Sequence, residues 1–580
     1  MVCSRREAMR SAFLSGAGML LCRPARAAAL LGRAARGGDR EPEGALFFDG
    51  FDAPSLGSKP PYTVMCDVKD DDRWLHTPSI IEGRDGVLLA AWSSNGPHGD
   101  NDPTNYIEVV RSLDGGVTWS DPSVAVPPSA INPVFLRARN DDVILFYIAN
   151  RSLRQDDGAI AWRRSRDNGL SWSEATTVDN GPSVAIIVNN GLTLPDGSWL
   201  ISYHYDRAQQ GDHFNVANAD YVACVAISSD EGHTWKRYDA ASIPNESHNP
   251  NSKSWAVEPA VILTATGALR MVIRSRSGYL YECVSRDLGK TWSPAQRMAF
   301  SNDDSKPSLL ELRGGKELLL WNDTRILDGQ YRFPLLATLS DDDGSTWFRS
   351  VDLEDANVTL DYPTAVQVGD AIKLVYGYDR RQMRFVNLHE SDFKPWVPVN
   401  DSGAWKVKDG VLGYAGDRGG TISEKTPDWL HWSKAICFLP ARPSSSSLAV
   451  DFRIDDKWAK DGEIGIFAAY QDEANWTAWT WRPGDKVAGM RQEAHCGSMT
   501  HPYHATNISN FYDDAIEPAE TGVWYRLEVA LRPGWASYRL IERESRRLIL
   551  AAEEEIAWEG RFLALGSREI ALSFDNVEVR

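Results

Sequence analysis

Residues 285–292, Ser-Arg-Asp-Leu-Gly-Lys-Thr-Trp, form a short box that the chain repeats. Its pattern is Ser-x-Asp-x-Gly-x-(Thr/Ser)-Trp, and it occurs at 112–119, 165–172, 228–235, 285–292 and 340–347. Successive box aspartates are 53, 63, 57 and 55 residues apart. A repeat at a nearly fixed period indicates a fold built from similar supersecondary units.

Each box has the chemistry of a hairpin turn. The fourth box follows a strand-like run, Tyr279 to Val284. An aspartate side chain can accept backbone N–H groups in a tight turn, and glycine tolerates a positive φ. A repeat of roughly 57 residues has room for about four short strands, which is one blade of a β-propeller. Over residues 60–395 this spacing predicts an all-β, six-bladed propeller whose last blade lacks a box.

Composition narrows the class of protein. The chain has 580 residues, 43% of them hydrophobic, so it can bury a large core over two or more domains. A net charge of −18, without a dominant basic patch, makes nucleic acid an unexpected partner. Seven cysteines are too few for a disulfide scaffold. Beyond the N-terminus no apolar run is long enough to span a bilayer.

The N-terminus has the layout of an export signal. Arg5 and Arg6 precede a short apolar stretch, and a small-residue site ends near Ala28. The arginine pair resembles a twin-arginine signal. Residues 1–28 are therefore predicted to be a signal peptide, and the protein to be periplasmic or secreted. The alternative is a frayed basic tail.

The five boxes resemble the Asp-box, or BNR, repeat of the sialidase superfamily. This resemblance implies a propeller over residues 45–388, with the boxes at the periphery in a structural role. It also implies an active site at the centre of the propeller, where sialidases use a tyrosine nucleophile.

The resemblance implies catalytic roles for Tyr362, Glu258 and Asp100. Tyr362, in Leu-Asp-Tyr-Pro, is similar to the nucleophile, and Glu258, in Ala-Val-Glu-Pro, to the glutamate that activates it. Asp100, in the loop before the first box, stands where the family keeps its acid/base aspartate, with Asp102 as a competitor. Taken singly, a tyrosine before proline could equally pack in a core, and Asp100 could form a turn.

Three basic residues are expected to bind a substrate carboxylate. Arg274 and Arg332 resemble the second and third arginines of the family's triad, and Arg325 competes with Arg332. His76 stands where the first arginine is expected, so it would line the same subsite or transfer protons. Gly377 lies near the place of a family glutamate that orients an arginine. These two departures fit a bacterial sialidase-like branch of uncertain specificity.

Residues 389–580 resemble a concanavalin-like jelly roll, an antiparallel β-sandwich often appended to carbohydrate enzymes. Alternating runs such as 447–453 and 524–531 predict half-buried strands. Trp479 and Trp481 share a strand face, where they could stack on sugars but are more simply explained as core residues. The residues His495, Cys496, His501 and His504 match no defensible zinc spacing, and neither a metal nor a cofactor is expected.

The leading hypothesis is an exported, retaining exo-glycosidase that removes a terminal acidic sugar such as sialic acid from a glycan. A second hypothesis keeps the propeller but assigns it lyase or atypical hydrolase chemistry on a uronate. A third is a glycan-binding propeller without catalysis.

Overall fold

The computed structural model describes residues 47–51, 55–69, 72–96, 99, 102–149, 158–178, 185–208, 219–245, 253–302, 304–324, 332–400, 402–415, 432–438, 446–457, 462–472, 475–483, 487–494, 516, 519–556 and 560–580. Their regular structure is β-strand, with 3₁₀ turns at Arg84–Gly86, Glu390–Asp392 and Ser402–Ala404. Within these ranges no helix has the length and apolarity to cross a bilayer. The predicted all-β class is confirmed. The predicted signal peptide and the His495–His504 cluster lie outside the described residues.

The first two strands pair with distant parts of the chain. Strand β1 (Phe47–Asp49) pairs with the last strand, Ile570–Val579, and β2 (Tyr62–Asp67) pairs with Gln382–His389. The predicted boundary at residue 45 assigns β1 to the propeller, whereas its hydrogen bonds are made with a C-terminal sheet.

Between these strands the described chain forms six successive sheets, in which each strand follows its neighbour in sequence with few exceptions. Sheets one and two comprise β3 (Trp74–Glu82), β4 (Leu88–Asn95), β5 (Tyr106–Ser112) and β6 (Ser123–Val126), then β7 (Ala130–Arg137), β8 (Val143–Ala149), β9 (Ala159–Ser165) and β10 (Thr176–Thr177). Sheet three comprises β11 (Ala185–Ile186), β12 (Leu192–Thr193), β13 (Trp199–Asp206), β14 (Asp220–Ser228), β15 (Lys236–Ala241) and β16 (Ser254–Trp255).

Sheets four to six complete the series. They comprise β17 (Val257–Leu263), β18 (Leu269–Arg274), β19 (Tyr279–Ser285) and β20 (Gln296–Ser301), then β21 (Ser308–Glu311), β22 (Glu317–Asn322), β23 (Leu335–Ser340) and β24 (Arg349–Glu354), then β25 (Leu360–Val368), β26 (Ala371–Tyr378) and β27 (Gln382–His389). Strand β2 is the fourth strand of sheet six, so the two ends of this region share one sheet.

The first strands of successive sheets contact one another around a ring. Strand β3 contacts β7, β7 contacts β12, and β12 and β13 contact β17. The series continues from β17 to β21 and β25, and β25 contacts β3 again. Closing a ring of twisted sheets in this way leaves few exposed edges. It also brings side chains on six strands, far apart in sequence, to one axis.

Every box is a hairpin, as its sequence predicts, and it joins the third and fourth strands in the hydrogen-bonded order of its sheet, which are β14 and β15 in sheet three. In the first box Gly116 N and Thr118 N donate to Ser112 Oγ and Asp114 Oδ1 at 2.8 and 2.9 Å. The box glycine has φ +97°, and a Cβ there would overlap the Phe385 ring. These hairpins lie on the opposite side of each sheet from the first strands, which is the peripheral position implied by the resemblance.

The C-terminal strands form two antiparallel sheets. They are β28 (Val397–Val399), β29 (Trp405–Lys408), β30 (Val411–Tyr414), β31 (Ser433–Cys437), β32 (Ser446–Lys457), β33 (Glu463–Asp472), β34 (Asn475–Arg482), β35 (Val487–Ala494), β36 (Trp524–Arg532), β37 (Trp535–Glu542), β38 (Leu548–Glu555), β39 (Phe562–Arg568) and β40 (Ile570–Val579). One sheet has the order β29-β30-β40-β32-β36-β37-β38 with β1 on β40, and the other the order β28-β31-β39-β33-β34-β35.

The second of these sheets is buried on both faces. Trp479 and Trp481 point into the core between the two C-terminal sheets and are fully buried, so here they are core residues and not sugar platforms. From the opposite face Phe438 and Phe562 join a cluster with Phe300 and other residues of sheets four and five. This sheet is thus the middle layer between the ring and the outer sheet.

Candidate active site

Four strands lining the ring axis carry the same backbone irregularity. In β3, β7, β17 and β25 the pairing register shifts at a β-bulge. The bulges contain Thr77, Asn132, Glu258 and Tyr362, each with φ between +48° and +57° and each followed by proline. Positive φ is uncommon for residues with a Cβ, and the residue before proline normally adopts an extended conformation. Such bulges re-aim side chains, and such strain is typical of functional sites.

Two of these bulges place the predicted nucleophile and its activating glutamate in contact. Tyr362 Oη donates to Glu258 Oε1 at 2.8 Å, and both residues are buried. Arg274 donates to the other oxygen, Glu258 Oε2. Burial alone would raise the pKa of Glu258, but the charge and hydrogen bond of Arg274, with His204 and Tyr362, lower it below the ordinary glutamate value. Glu258 is therefore ionised at neutral pH and can accept the phenol proton.

Asp304, in the loop before β21, accepts hydrogen bonds from the two arginines on one side of the site, Arg274 and Arg276. Its Oδ1 accepts from Arg274 Nε at 2.7 Å and from Trp255 Nε1 at 2.9 Å. Its Oδ2 accepts from Arg276 Nε at 2.7 Å, and the Arg276 guanidinium lies 3.5 Å from the centroid of the Trp255 ring. Although burial opposes its charge, the two guanidinium groups hold the pKa of Asp304 far below the usual range. Arg274 Nη2 has no hydrogen-bond partner among the described residues and remains available to a ligand.

A second carboxylate, that of Asp361, lies within ion-pair distance of the other two predicted basic residues, His76 and Arg332. Its Oδ2 lies 3.3 Å from His76 Nε2, 3.4 Å from Arg380 Nε and 3.6 Å from Arg332 Nη1. The His76 ring meets the Tyr362 ring edge-on at 4.5 Å, and the Arg332 guanidinium lies 5.6 Å from the centroid of the same ring. Asp361 is fully buried; burial opposes its ionisation, but His76, followed by Arg380 and Arg332, lowers its pKa.

The two departures from the sialidase pattern meet at Asp361. A Cβ on Gly377 would overlap Asp361 Oδ1, so the absence of a side chain at 377 makes room for this carboxylate. His76, in place of the expected arginine, pairs with the same carboxylate. Asp361 thus occupies the space that a side chain at 377 would take, and the negative charge of the site comes from the neighbouring strand.

The remaining predicted residues divide into two groups. Asp100 and Arg325 lie outside the described residues. Asp102 is buried and its Oδ1 accepts from Thr104 N at 2.9 Å and from Thr104 Oγ1 at 2.5 Å, which is the geometry of a local turn. The structure brings Tyr362, Glu258, Arg274, Arg332 and His76 to one site, and their individual roles stay predictions.

Sequence reasoning missed Asp304, Asp361 and Lys306, which are all buried around the same site. The signal for two of them was available, because Asp361 directly precedes Tyr362, and Lys306 precedes a proline as Glu258 and Tyr362 do. Asp304 has no comparable signal. No described group of three or more histidine, cysteine or acidic side chains has a metal-binding arrangement.

The family follows from the repeats and from a direct comparison. A family model described as a BNR repeat-like domain matches residues 86–375, which is half of the chain. The chain belongs to this family, and its predicted place in the sialidase/BNR superfamily is confirmed.

Several known proteins are similar to the chain. A sialidase of Bacteroides fragilis (strain YCH46) is 22% identical over 320 residues, 48% of this chain and 55% of the relative, so the chain spans only about half the length of that relative. Among solved structures, a Dyadobacter fermentans protein of unknown function is 18% identical with a TM-score of 0.47, covering 58% of this chain and 100% of its own. The Hadza microbial sialidase Hz136 is 19% identical with a TM-score of 0.47, covering 57% and 69%. A mutant of Trypanosoma rangeli sialidase is 14% identical with a TM-score of 0.45, covering 90% and 95%.

Proposed function

We propose that the protein is an exported, retaining exo-glycosidase of the sialidase type that releases a terminal acidic sugar from a glycan. The observation that carries this proposal is the hydrogen bond from Tyr362 to Glu258 beside Arg274. A phenol is a suitable nucleophile for an anionic sugar, because a carboxylate nucleophile would be repelled by the carboxylate of the substrate. The name of the Bacteroides fragilis relative supports the same reaction class.

In the first step Tyr362 Oη would form a bond to the anomeric carbon while the glycosidic bond breaks. The phenol proton would pass to Glu258, and the leaving oxygen would take a proton from a general acid, for which Asp100 is the candidate. In the second step water would attack the anomeric carbon and the bond to Tyr362 would break. Glu258 would then return its proton to the phenol, and the acid would be restored by the proton of the water.

The substrate carboxylate would bind at the basic side of the site. Arg274 retains Nη2 for this purpose, and Arg332 Nη1 is buried without a hydrogen bond in the described part of the chain. Guanidinium groups favour carboxylates, because their parallel N–H donors match the two carboxylate oxygens. His76, which already faces Asp361, would complete this subsite.

The test is Tyr362→Phe, assayed on fluorogenic sialosides and a panel of uronides. Removing the nucleophilic oxygen should lower kcat by about 10²–10⁴-fold or more, while an acidic sugar still binds. Tyr538→Phe is the matched control, since Tyr538 Oη donates to Glu554 Oε1 at 2.6 Å in a C-terminal sheet. Full activity of Tyr362→Phe would show that the proposed mechanism is wrong.

A second candidate function rests on the edge-on contact between His76 and Tyr362. A histidine and a phenol side by side could remove and deliver protons on a uronate, which is lyase chemistry. An unsaturated uronate, detected by its ultraviolet absorbance, would favour this reaction over hydrolysis. Binding of acidic sugars without turnover of any substrate would instead support a glycan-binding protein.

A further inference from the structure

Lys306 is a fully buried lysine at the ring axis that the proposed mechanism does not use. It lies in the segment before β21 of sheet five, with 1% of its surface exposed. Its Nζ donates to the carbonyl oxygen of Pro363 at 2.7 Å and to Thr364 Oγ1 at 3.1 Å. It forms no ion pair with any carboxylate in the described part of the chain. Burying an amine without an ion pair costs desolvation free energy, which indicates that the two hydrogen bonds of Lys306 have a specific role.

Both bonds hold the bulge that presents Tyr362. Pro363 and Thr364 directly follow Tyr362, whose φ is +53°. Thr364 Oγ1 in turn donates to the Pro78 carbonyl at 3.0 Å, within the bulge of β3 next to His76. One amine therefore ties sheet five to the strained backbone of sheet six and, through one hydroxyl, to sheet one.

The equivalent carbonyl of the Glu258 bulge is held differently. Pro259 O accepts from the neutral side chains Asn189 Nδ2 at 3.0 Å and Ser202 Oγ at 2.9 Å. An amide and a hydroxyl thus suffice for one of the two bulges. At the Tyr362 bulge, the carbonyl instead accepts from Lys306, which lies in the segment before the first strand of the neighbouring sheet five. The segment that contains Lys306 also contains Asp304, which accepts from Arg274. Residues 304–306 hence contact both the arginine side and the nucleophile side of the site.

The charge state of Lys306 does not break these bonds. Burial lowers the pKa of Lys306 to about 7, although the carboxylates of Glu258 and Asp361, the charged groups that face it, act to raise it. A neutral amine keeps two N–H groups, which is the number of bonds that Lys306 donates. The two hydrogen bonds from Lys306 to Pro363 and Thr364 can therefore form on either side of neutral pH.

We propose that Lys306 is a positioning residue for Tyr362, which fixes the Tyr362–Thr364 bulge so that the phenol stays aligned with Glu258. The expected effect on kcat rests on the proposed function, whereas the expected effect on the position of Tyr362 does not. Catalysis requires the reacting oxygen to be held within a fraction of an ångström, and a displacement of about 1 Å can cost roughly 100-fold in rate.

The kinetic test compares Lys306→Met and Thr364→Val with Lys373→Met in the full chain. Lys373 is a matched control, because it is also buried and donates to a carbonyl, that of Gly115, in the first box. Lys306→Met should lower kcat by about 10–100-fold with KM changed less than about threefold, and Thr364→Val should act in the same direction but less. Lys373→Met should leave both parameters within about twofold. A kcat of Lys306→Met equal to that of Lys373→Met would overturn the proposal, as would a change confined to KM.

A second readout does not depend on turnover. In protein labelled with ¹³C at tyrosine Cζ, the Tyr362 resonance is assigned by its loss in Tyr362→Phe. It should move in Lys306→Met and in Thr364→Val but not in Lys373→Met. If Lys306→Met does not fold, the isosteric Thr364→Val decides the result. If the unmodified protein hydrolyses no substrate, the proposed function fails while this resonance still tests Lys306, and an unmoved resonance in a folded variant shows that Lys306 does not position Tyr362.

Discussion

At the scale of single residues, two tyrosine–glutamate pairs in the described part of the chain have opposite electrostatics. In the first, Arg274 overcomes the effect of burial and lowers the pKa of Glu258. In the second, Tyr538 donates to Glu554, with which no described arginine is paired, and burial raises the pKa of Glu554. The contact between phenol and carboxylate is similar in both. The Arg274 guanidinium favours the ionised form of Glu258, which is the form that can accept a proton from a phenol, whereas burial favours the neutral form of Glu554.

The space at Gly377 leads to a prediction at the same scale. Gly377→Ala should displace the Asp361 carboxylate, because the added Cβ would overlap Oδ1. Overpacking of this kind costs about 1–3 kcal/mol in the free energy of unfolding, and the loss of Asp361 from His76 should also lower kcat/KM. Chemical denaturation and sialoside kinetics measure the two effects.

Gly413→Ala is the control for this substitution. Gly413 also lies in a strand, but a Cβ there would meet its nearest atoms at 3.8 Å. The free energy of unfolding of Gly413→Ala should be unchanged or slightly increased, since alanine restricts the unfolded chain more than glycine does. Equal effects of the two substitutions would show that Asp361 does not depend on the space at 377.

At the scale of elements, each box is an eight-residue unit whose serine and aspartate side chains form hydrogen bonds within the unit. In the fourth box Asp287 accepts from Thr291 N at 2.8 Å and from Thr291 Oγ1 at 2.7 Å. These hydrogen bonds lower the pKa of Asp287 from an ordinary 3.8 to about 2, with the bond from the Thr291 hydroxyl contributing most. The local geometry explains why these hairpins could be predicted from the sequence.

The lowered pKa predicts an acid-sensitive contribution to stability. A carboxyl group whose pKa is depressed by folding stabilises the fold above its unfolded pKa, and this contribution disappears as pH falls through the folded value. Asp287→Ala should therefore lower the Tm at pH 7, and the difference from the unmodified protein should shrink between about pH 4 and pH 2. Asp370→Ala, in an exposed turn, should change the Tm little at any pH. A Tm difference for Asp287→Ala that persists at pH 2 would contradict this account.

At the scale of the whole molecule, the ring and the C-terminal sheets share a core. The Phe300 ring, at the end of sheet four, stacks on Phe562 of β39 with centroids 5.8 Å apart. Around this core, Ser301 Oγ donates to Asp472 Oδ2 at 2.6 Å and Gln471 Nε2 to the Ala299 carbonyl at 2.7 Å. Strand β1 also pairs within a C-terminal sheet, whereas β2, the next strand along the chain, pairs within the ring. Two units joined in this way should unfold together.

Phe300→Ala tests this shared core. Removing a buried phenylalanine should cost about 3–5 kcal/mol in the free energy of unfolding, and calorimetry should still show a single transition. Leu113→Ala, at a side chain 76% exposed in the first box, should change stability by less than about 0.5 kcal/mol. Two separate transitions in the unmodified protein would show that the ring and the C-terminal sheets are independent.

The sequence alone determined the box hairpins, the all-β class and the set Tyr362, Glu258 and Arg274. The hairpins were readable because their hydrogen bonds join residues at most four apart, so the pattern of side chains describes the whole unit. The predicted site residues were found through the resemblance to sialidases, by their order relative to the boxes, since Tyr362 and Glu258 are 104 residues apart.

Only the tertiary structure decided how that set is held. Asp304, Asp361 and Lys306 act through contacts that join different sheets, and the bond from Thr364 to Pro78 joins residues 286 apart. Sequence spacing carries no record of such contacts, because they exist only where the closed ring brings the strands to a common axis. In the sequence, His76 in place of an expected arginine and Gly377 in place of an expected glutamate are two separate departures. Only the folded structure shows that they are connected, because both positions contact Asp361.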